Sequence, residues 1–257
     1  MNGLNIVNGR YETATEKINI YFKRFPSAFF YSNLFTIILK ASSIAKKGLY
    51  TDEEWIKSSI SVIKALEMVG VQLNIEGVKN IEIIKEPCIF VANHMSTLET
   101  FVLPAIIHPI KKITFVVKKD LMEYPIFKHI MLSRDPIAVS RENPREDLKM
   151  VLDEGIKRLR SGLSIVVFPQ TTRSNTLDPS QFNTIGIKLA LKADVPIIPI
   201  ALKTDAWGTG KIIKDFGKIN PEKKVYFSFG EPLRIKGRGV EEHKRIIQFI
   251  STKLKEW

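Results

Sequence analysis

At 257 residues the chain can enclose one substantial core, and a hydrophobic share of 44% sets it apart from disordered chains. A formal charge of +12 calls for an anionic partner: a phosphate-bearing substrate, nucleic acid or an anionic bilayer. The single cysteine, Cys88, excludes a disulfide framework, and inside an apolar run it reads as a buried, inert thiol rather than a nucleophile.

Met1 to about Thr15 is polar and is expected to form a loose arm. No basic-then-apolar secretory signal opens the chain, which is expected to be intracellular. From Glu16 to about Lys47 the sequence is basic and aromatic, with Lys17, Lys23, Arg24, Lys40, Lys46 and Lys47 around Phe22, Phe25, Phe29, Phe30, Tyr31 and Phe35. Its apolar part, Ala28 to Leu39, is too short and interrupted to cross a bilayer, and no uninterrupted apolar run elsewhere is long enough. Aromatics flanked by lysines suit a helix lying among lipid headgroups, with Phe29, Phe30 and Phe35 as anchors; the alternative is that these rings pack on the domain. Thr51-Asp52-Glu53-Glu54 caps a second helix reaching about Met68, where Gly70 ends it. The two helices make a hairpin, so the expected organisation is 1–70, an arm and a membrane-docking hairpin, followed by 71–257, an α/β domain.

After Gly70 the pattern changes. Val71–Glu76 alternates as a half-buried strand, and apolar runs follow at Cys88–Ala92, Ile113–Val117, Ile137–Ser140, Leu163–Phe168 and Val195–Leu202, with Val225–Gly230 alternating again. Helical patterns lie between them at Arg145–Arg160, Asn183–Leu191 and Val240–Lys255. Strands alternating with helices predict a mainly parallel central sheet covered by helices.

Polar residues punctuate the ends of these runs. After Cys88–Ala92 come Asn93-His94-Met95-Ser96-Thr97-Leu98-Glu99. An imidazole can take a proton from a hydroxyl, and a carboxylate on its far nitrogen fixes the tautomer. His94 and Glu99 are not on one face of a regular helix, so they meet only if His94 lies in the turn and Glu99 in the first helical turn. Ser96-Thr97-Leu98-Glu99 is also a capping box, which leaves Glu99 open between cap and partner of His94. Leu163–Phe168 runs into Pro169-Gln170-Thr171-Thr172-Arg173-Ser174, where a guanidinium beside hydroxyls suits a phosphate. Ile137–Ser140 ends on Arg141, and Ile113–Val117 on Lys118. Each cation alone reads as a solvated charge, but successive strands of a parallel sheet end on one shared edge.

In this order the stretches resemble the 1-acyl-glycerol-3-phosphate acyltransferases, also called lysophosphatidic acid acyltransferases. That family is marked by Asn-His-x-x-x-x-Asp, a later block ending in Arg, Phe-Pro-Glu-Gly-Thr-Arg-Ser, and a Val-Pro-Ile-x-Pro block. The matching stretches are Asn93-His94 to Glu99, Ile137 to Arg141, Phe168 to Ser174, and Val195 to Leu202. The resemblance covers roughly Gly70 to Pro232 and implies a glycerolphosphate acyltransferase-like fold. It implies transfer of an acyl group from acyl-CoA or acyl carrier protein to the free hydroxyl of a lysophospholipid, with no cofactor or metal. His94 and Glu99 would be the catalytic pair. Lys118, Arg141, Gln170, Thr171, Thr172, Arg173 and Ser174 would line the substrate site. It also implies a peripheral protein on the cytoplasmic face of the cell membrane, whose partners are the lipid surface, the acceptor and the thioester donor.

The chain departs from the family's pattern at Glu99 in place of Asp, and at Gln170-Thr171 in place of Glu-Gly. The leading expectation for the acceptor is 1-acyl-glycerol-3-phosphate, giving phosphatidic acid. The lost carboxylate at 170 keeps another headgroup open, such as glycerol 3-phosphate or a lyso-aminolipid, and the changes at 99 and 170 together keep an inactive scaffold open. Nucleic-acid binding has only the net charge in its favour, because the basic residues form no recognition module.

Overall fold

The computed structural model describes residues 4–14, 19–170, 172–211 and 213–257. The chain runs through β1 (Tyr11–Glu12), α1 (Ile20–Arg24), α2 (Pro26–Lys46), α3 (Asp52–Met68), β2 (Leu73–Glu76), α4 (Lys79–Glu82) and β3 (Ile89–Ala92). It continues through α5 (Leu98–Ile107), β4 (Ile113–Lys118), α6 (Lys128–Ser133), β5 (Ile137–Val139), α7 (Pro144–Arg160) and β6 (Ser164–Val167). The last elements are α8 (Ile185–Ala193), β7 (Ile197–Lys203), β8 (Val225–Phe229) and α9 (Val240–Glu256).

The strands form one sheet in the order β1-β2-β8-β7-β3-β6-β4-β5. The block β7-β3-β6-β4-β5 is parallel throughout. β8 pairs antiparallel with β7, and β1 antiparallel with β2, so the mainly parallel sheet is mixed at one side. Since side chains alternate across a strand, each central strand feeds two layers. Phe90 and Ala92 of β3 face a core made with α2, α3 and α5, including Phe30, Leu34, Ile63, Leu66 and Val102. Ile89 and Val91 face the other side, with Val151, Leu159, Ile187, Ile246 and Ile250 of α7, α8 and α9. A near-continuous apolar strand is what burial on both faces requires. Residues of both segments, before and after Gly70, contribute to the first of these cores. Cys88, just before β3, is fully buried, and burial pushes its thiol up to about 12, out of nucleophilic range near neutral pH.

Helix ends follow local chemistry. The Thr51 hydroxyl accepts from the Glu54 N–H ahead of an acidic first turn, and the chain leaves α3 through Gly70 at φ +99°. Asn143 caps α7, Pro144 opens it, acids fill its first turn and bases its last.

The N-terminal region differs from expectation in two respects. Residues 4–14 are tied down rather than loose: Tyr11 pairs with Ile75, and the Tyr11 and Thr13 hydroxyls both donate to Glu67 of α3. The apolar helix is also longer than its sequence core suggested, and α2 passes by length and composition as a helix able to cross a membrane. It nevertheless buries Phe30, Leu34, Ile38, Ala41 and Ala45, a stripe at helical spacing, against the domain. Phe30 is therefore a core residue, fully buried against Trp207 with ring centroids 4.9 Å apart, and cannot be a lipid anchor. Phe29 is half-buried against Phe22, and Phe35 is exposed.

Candidate active site

β3, β4, β5, β6 and β7 run in one direction, so the residues following each of them gather at a single sheet edge. Asn93, the first residue after β3, anchors the turn to β7. Its side-chain amide donates to the Leu202 carbonyl and accepts from the Leu202 N–H, both at 2.8 Å. The next residue is sewn to the loop after β6: the His94 N–H donates to Gln170 Oε1 (2.7 Å), and the His94 carbonyl accepts from the Ser174 N–H (2.9 Å). With its backbone held on both sides, the His94 ring stacks on Phe168, centroids 4.4 Å apart.

His94 Nδ1 lies 2.6 Å from Glu99 Oε2. Glu99 is completely buried, in the first turn of α5, and its other oxygen accepts from the Met95 N–H (2.7 Å), the Ser96 N–H (2.9 Å) and the Thr204 hydroxyl (2.6 Å). Glu99 thus reaches back to backbone N–H groups of the turn with one oxygen and to the imidazole with the other, while the expected capping box is incomplete: Thr97 is the N-cap, without a side-chain cap bond, and Ser96 Oγ accepts from the Leu98 N–H. An imidazole that donates through Nδ1 keeps its acceptor lone pair on Nε2, the nitrogen that can take a proton from elsewhere.

The arginines come to the same edge. Arg173 Nη2 sits 2.6 Å from Asp215 Oδ1, and Nη1 donates to the Thr97 hydroxyl, which itself donates to Asp215 (3.2 Å). Because Thr97 belongs to the turn between His94 and Glu99, this clamp holds the guanidinium beside the imidazole turn. Arg141 takes a left-handed backbone at φ +63°, a conformation a bulky side chain adopts at a cost. Asp147 of α7 holds it there by accepting from the N–H groups of Ser140 (2.9 Å) and Arg141 (2.8 Å). Burial and then the positive charge of Arg173 pull the Arg141 guanidinium below the ordinary arginine value. The two guanidinium groups therefore lie within electrostatic reach of each other on this edge.

The other expected site residues fare differently. Gln170 is buried, and its amide oxygen accepts from the His94 N–H. Lys118 ends β4 on the same edge but pairs with Asp120. Thr172 is exposed. Ser174 contributes its N–H to His94, and its hydroxyl contacts Thr176. Thr171 lies outside the described residues. Among the described residues no cluster of three or more His, Cys, Asp or Glu side chains suits a metal ion. Sequence reasoning missed Thr97, Asp147, Phe168, Thr204 and Asp215 as members of the site. Thr204 carried a faint signal, lying two residues beyond the apolar run that ends at Leu202; Asp215, in a polar loop, carried none.

Fold and site together define an α/β protein with a histidine–carboxylate pair and an arginine pair on the carboxyl edge of a parallel sheet. The family model described as acyltransferase matches residues 72–203, just over half of the chain, and the chain belongs to that family. Similar proteins include the 1-acyl-sn-glycerol-3-phosphate acyltransferase of Pseudomonas aeruginosa, 28% identical over 68% of this chain and 65% of the relative. A probable 1-acyl-sn-glycerol-3-phosphate acyltransferase of Mycoplasma genitalium is 32% identical over 64% of this chain and 66% of the relative. The matches thus span just under two thirds of the length of these relatives. Among solved structures, the 1-acyl-sn-glycerophosphate acyltransferase PlsC of Thermotoga maritima superposes with a TM-score of 0.67 over 92% of this chain and 96% of that one; at 22% identity this likeness establishes the fold.

Proposed function

We propose that this protein moves a fatty acyl group from a thioester, acyl-CoA or acyl carrier protein, to the free hydroxyl of 1-acyl-glycerol-3-phosphate, giving phosphatidic acid. The observation that carries the reading is the 2.6 Å contact between His94 Nδ1 and a buried carboxylate, on the sheet edge that also holds Arg141 and Arg173. In this reading Nε2 of His94 takes the hydroxyl proton as that oxygen attacks the thioester carbonyl carbon. Glu99 stabilises the imidazolium so formed. The tetrahedral adduct collapses by breaking the carbon–sulfur bond, and the departing thiolate takes the proton back from His94. Arg173 and Arg141 grip the acceptor's phosphate and so fix the hydroxyl relative to the base.

The acceptor lives in a bilayer, and the exposed face of the N-terminal helices suits one. Ile20, Tyr21, Phe25, Phe35 and Leu39 are all exposed, with Lys23, Arg24 and Lys40 beside them. Apolar anchors with basic neighbours support a peripheral protein on the anionic, cytoplasmic face of the membrane.

The test is thiol release from acyl-CoA and from acyl carrier protein by wild type and by His94→Ala, across lysophosphatidate, glycerol 3-phosphate and lyso-aminolipids. The expected result is turnover with lysophosphatidate that His94→Ala lowers by roughly 10²–10⁴. Undiminished turnover in His94→Ala would overturn the mechanism, and turnover with another acceptor alone would overturn the substrate.

A further inference from the structure

The carboxylate behind His94 is held from a distant part of the chain. Thr204 follows β7 directly, and its hydroxyl lies 2.6 Å from Glu99 Oε1, although the two residues are 105 positions apart. The direction of every hydrogen bond in this cluster is fixed by its ends. The Leu98 N–H can only donate, so Ser96 Oγ accepts from it (3.2 Å) and donates to Thr204 Oγ1 (3.0 Å). The carboxylate can only accept, so the Thr204 proton points at Glu99. Thr204 and Glu99 are fully buried and Ser96 nearly so, which leaves water no route to substitute for any of these donors.

We infer that Thr204 is a positioning residue for the proposed acyl transfer, locking Glu99 Oε1 so that only Oε2 is presented to His94. The inference rests on His94 being the base. Glutamate has one more rotatable bond than aspartate and needs an additional constraint to hold its far oxygen against a ring. The Met95 and Ser96 N–H groups approach from the same turn as His94 and move with it; among the described residues, Thr204 is the one that ties the carboxylate to the end of another strand. Its proton also draws charge toward Oε1, away from the imidazole.

Two effects follow when the hydroxyl is removed without changing the side chain's shape. In Thr204→Val the carboxylate loses its cross-strand anchor, and Ser96 loses an acceptor. Turnover number is expected to fall roughly ten- to a hundred-fold, the range for a lost bond to a charged group, with KM for lysophosphatidate changed less than about two-fold. The charge left on Glu99 concentrates on Oε2 and favours the imidazolium, so the acidic limb of kcat/KM moves to higher pH. Thr204→Ser keeps the donor and is expected to stay within about three-fold of wild type with an unmoved limb. If Thr204→Val does not fold, Ser96→Ala carries the test. Without the donor polarising it, the Thr204 hydroxyl weakens, and the limb shifts in the same direction by less.

A Thr204→Val enzyme with wild-type turnover and pH profile overturns the inference. So does a Thr204→Ser enzyme as impaired as the valine variant, or an unmoved limb in Ser96→Ala. His94→Ala, assayed alongside, separates the two levels. If it retains activity, the base reading and this inference fall together; if it is dead while Thr204→Val is silent, only this inference falls.

Discussion

Glu99 and Arg173 show how much of this site is decided one side chain at a time. Glu99 holds the turn before α5 with one oxygen and meets an imidazole with the other, so substitution there tests stability and catalysis together. Arg173 separates more cleanly. Thr97 and Asp215 engage its two terminal nitrogens, an arrangement that a planar guanidinium satisfies and a point charge does not. Arg173→Lys is therefore expected to raise KM for lysophosphatidate about ten-fold, while turnover at saturation stays within a few-fold, because the base and its carboxylate are untouched. Steady-state kinetics with varied acceptor at fixed thioester give the answer, and an unchanged KM would remove Arg173 from phosphate recognition.

At the scale of elements, the placement of His94 depends on how closely α8 lies on β3. Gly186, in the first turn of α8, packs on Val91, three residues before His94. A Cβ built there would fall 2.7 Å from Val91 Cγ2, closer than two carbons can approach. Val91 is β-branched, in the centre of a sheet, and has little freedom to turn away. Gly186→Ala is expected to displace the helix and lower stability by about 1–3 kcal/mol, despite alanine's better helix propensity. A urea midpoint equal to or above that of wild type would show that the helix moves without penalty. The same strand also shows why the two cores are separate: Phe90 and Val91 are neighbours in sequence yet belong to opposite layers.

For the whole molecule, the proposed docking on a bilayer draws on both the charge of +12 and the exposed apolar residues of α2. Phe35→Ser combined with Leu39→Ser removes two exposed anchors and is expected to reduce the fraction bound to phosphatidylglycerol vesicles, with the melting temperature nearly unchanged. Raised salt should release wild type as well, since attraction to anionic lipid is screened. Phe30→Ser behaves differently: it empties a fully buried site and is expected to cost about 3–5 kcal/mol of stability. Co-sedimentation and thermal melting of the same samples distinguish the cases, and full retention of the double variant on vesicles would discard this docking face.

Local residue patterns were enough to show the alternation of apolar runs and capped helices, and with it a mainly parallel sheet whose strand ends share an edge. They also showed which polar types sit at those ends, because strand ends and caps are set by residues close in the chain. Elements too short to show a period escaped them: β1 has two residues, and α4 has four. That Phe30 points inward while Phe35 points out came from the packed fold, since an apolar helix shows its buried face only once its partner is in place. It alone turned Gln170 toward the His94 backbone, and it alone brought Thr204 to Glu99. Contacts between residues far apart along the chain leave no local pattern; they arise when a sheet sets neighbouring strands less than 5 Å apart.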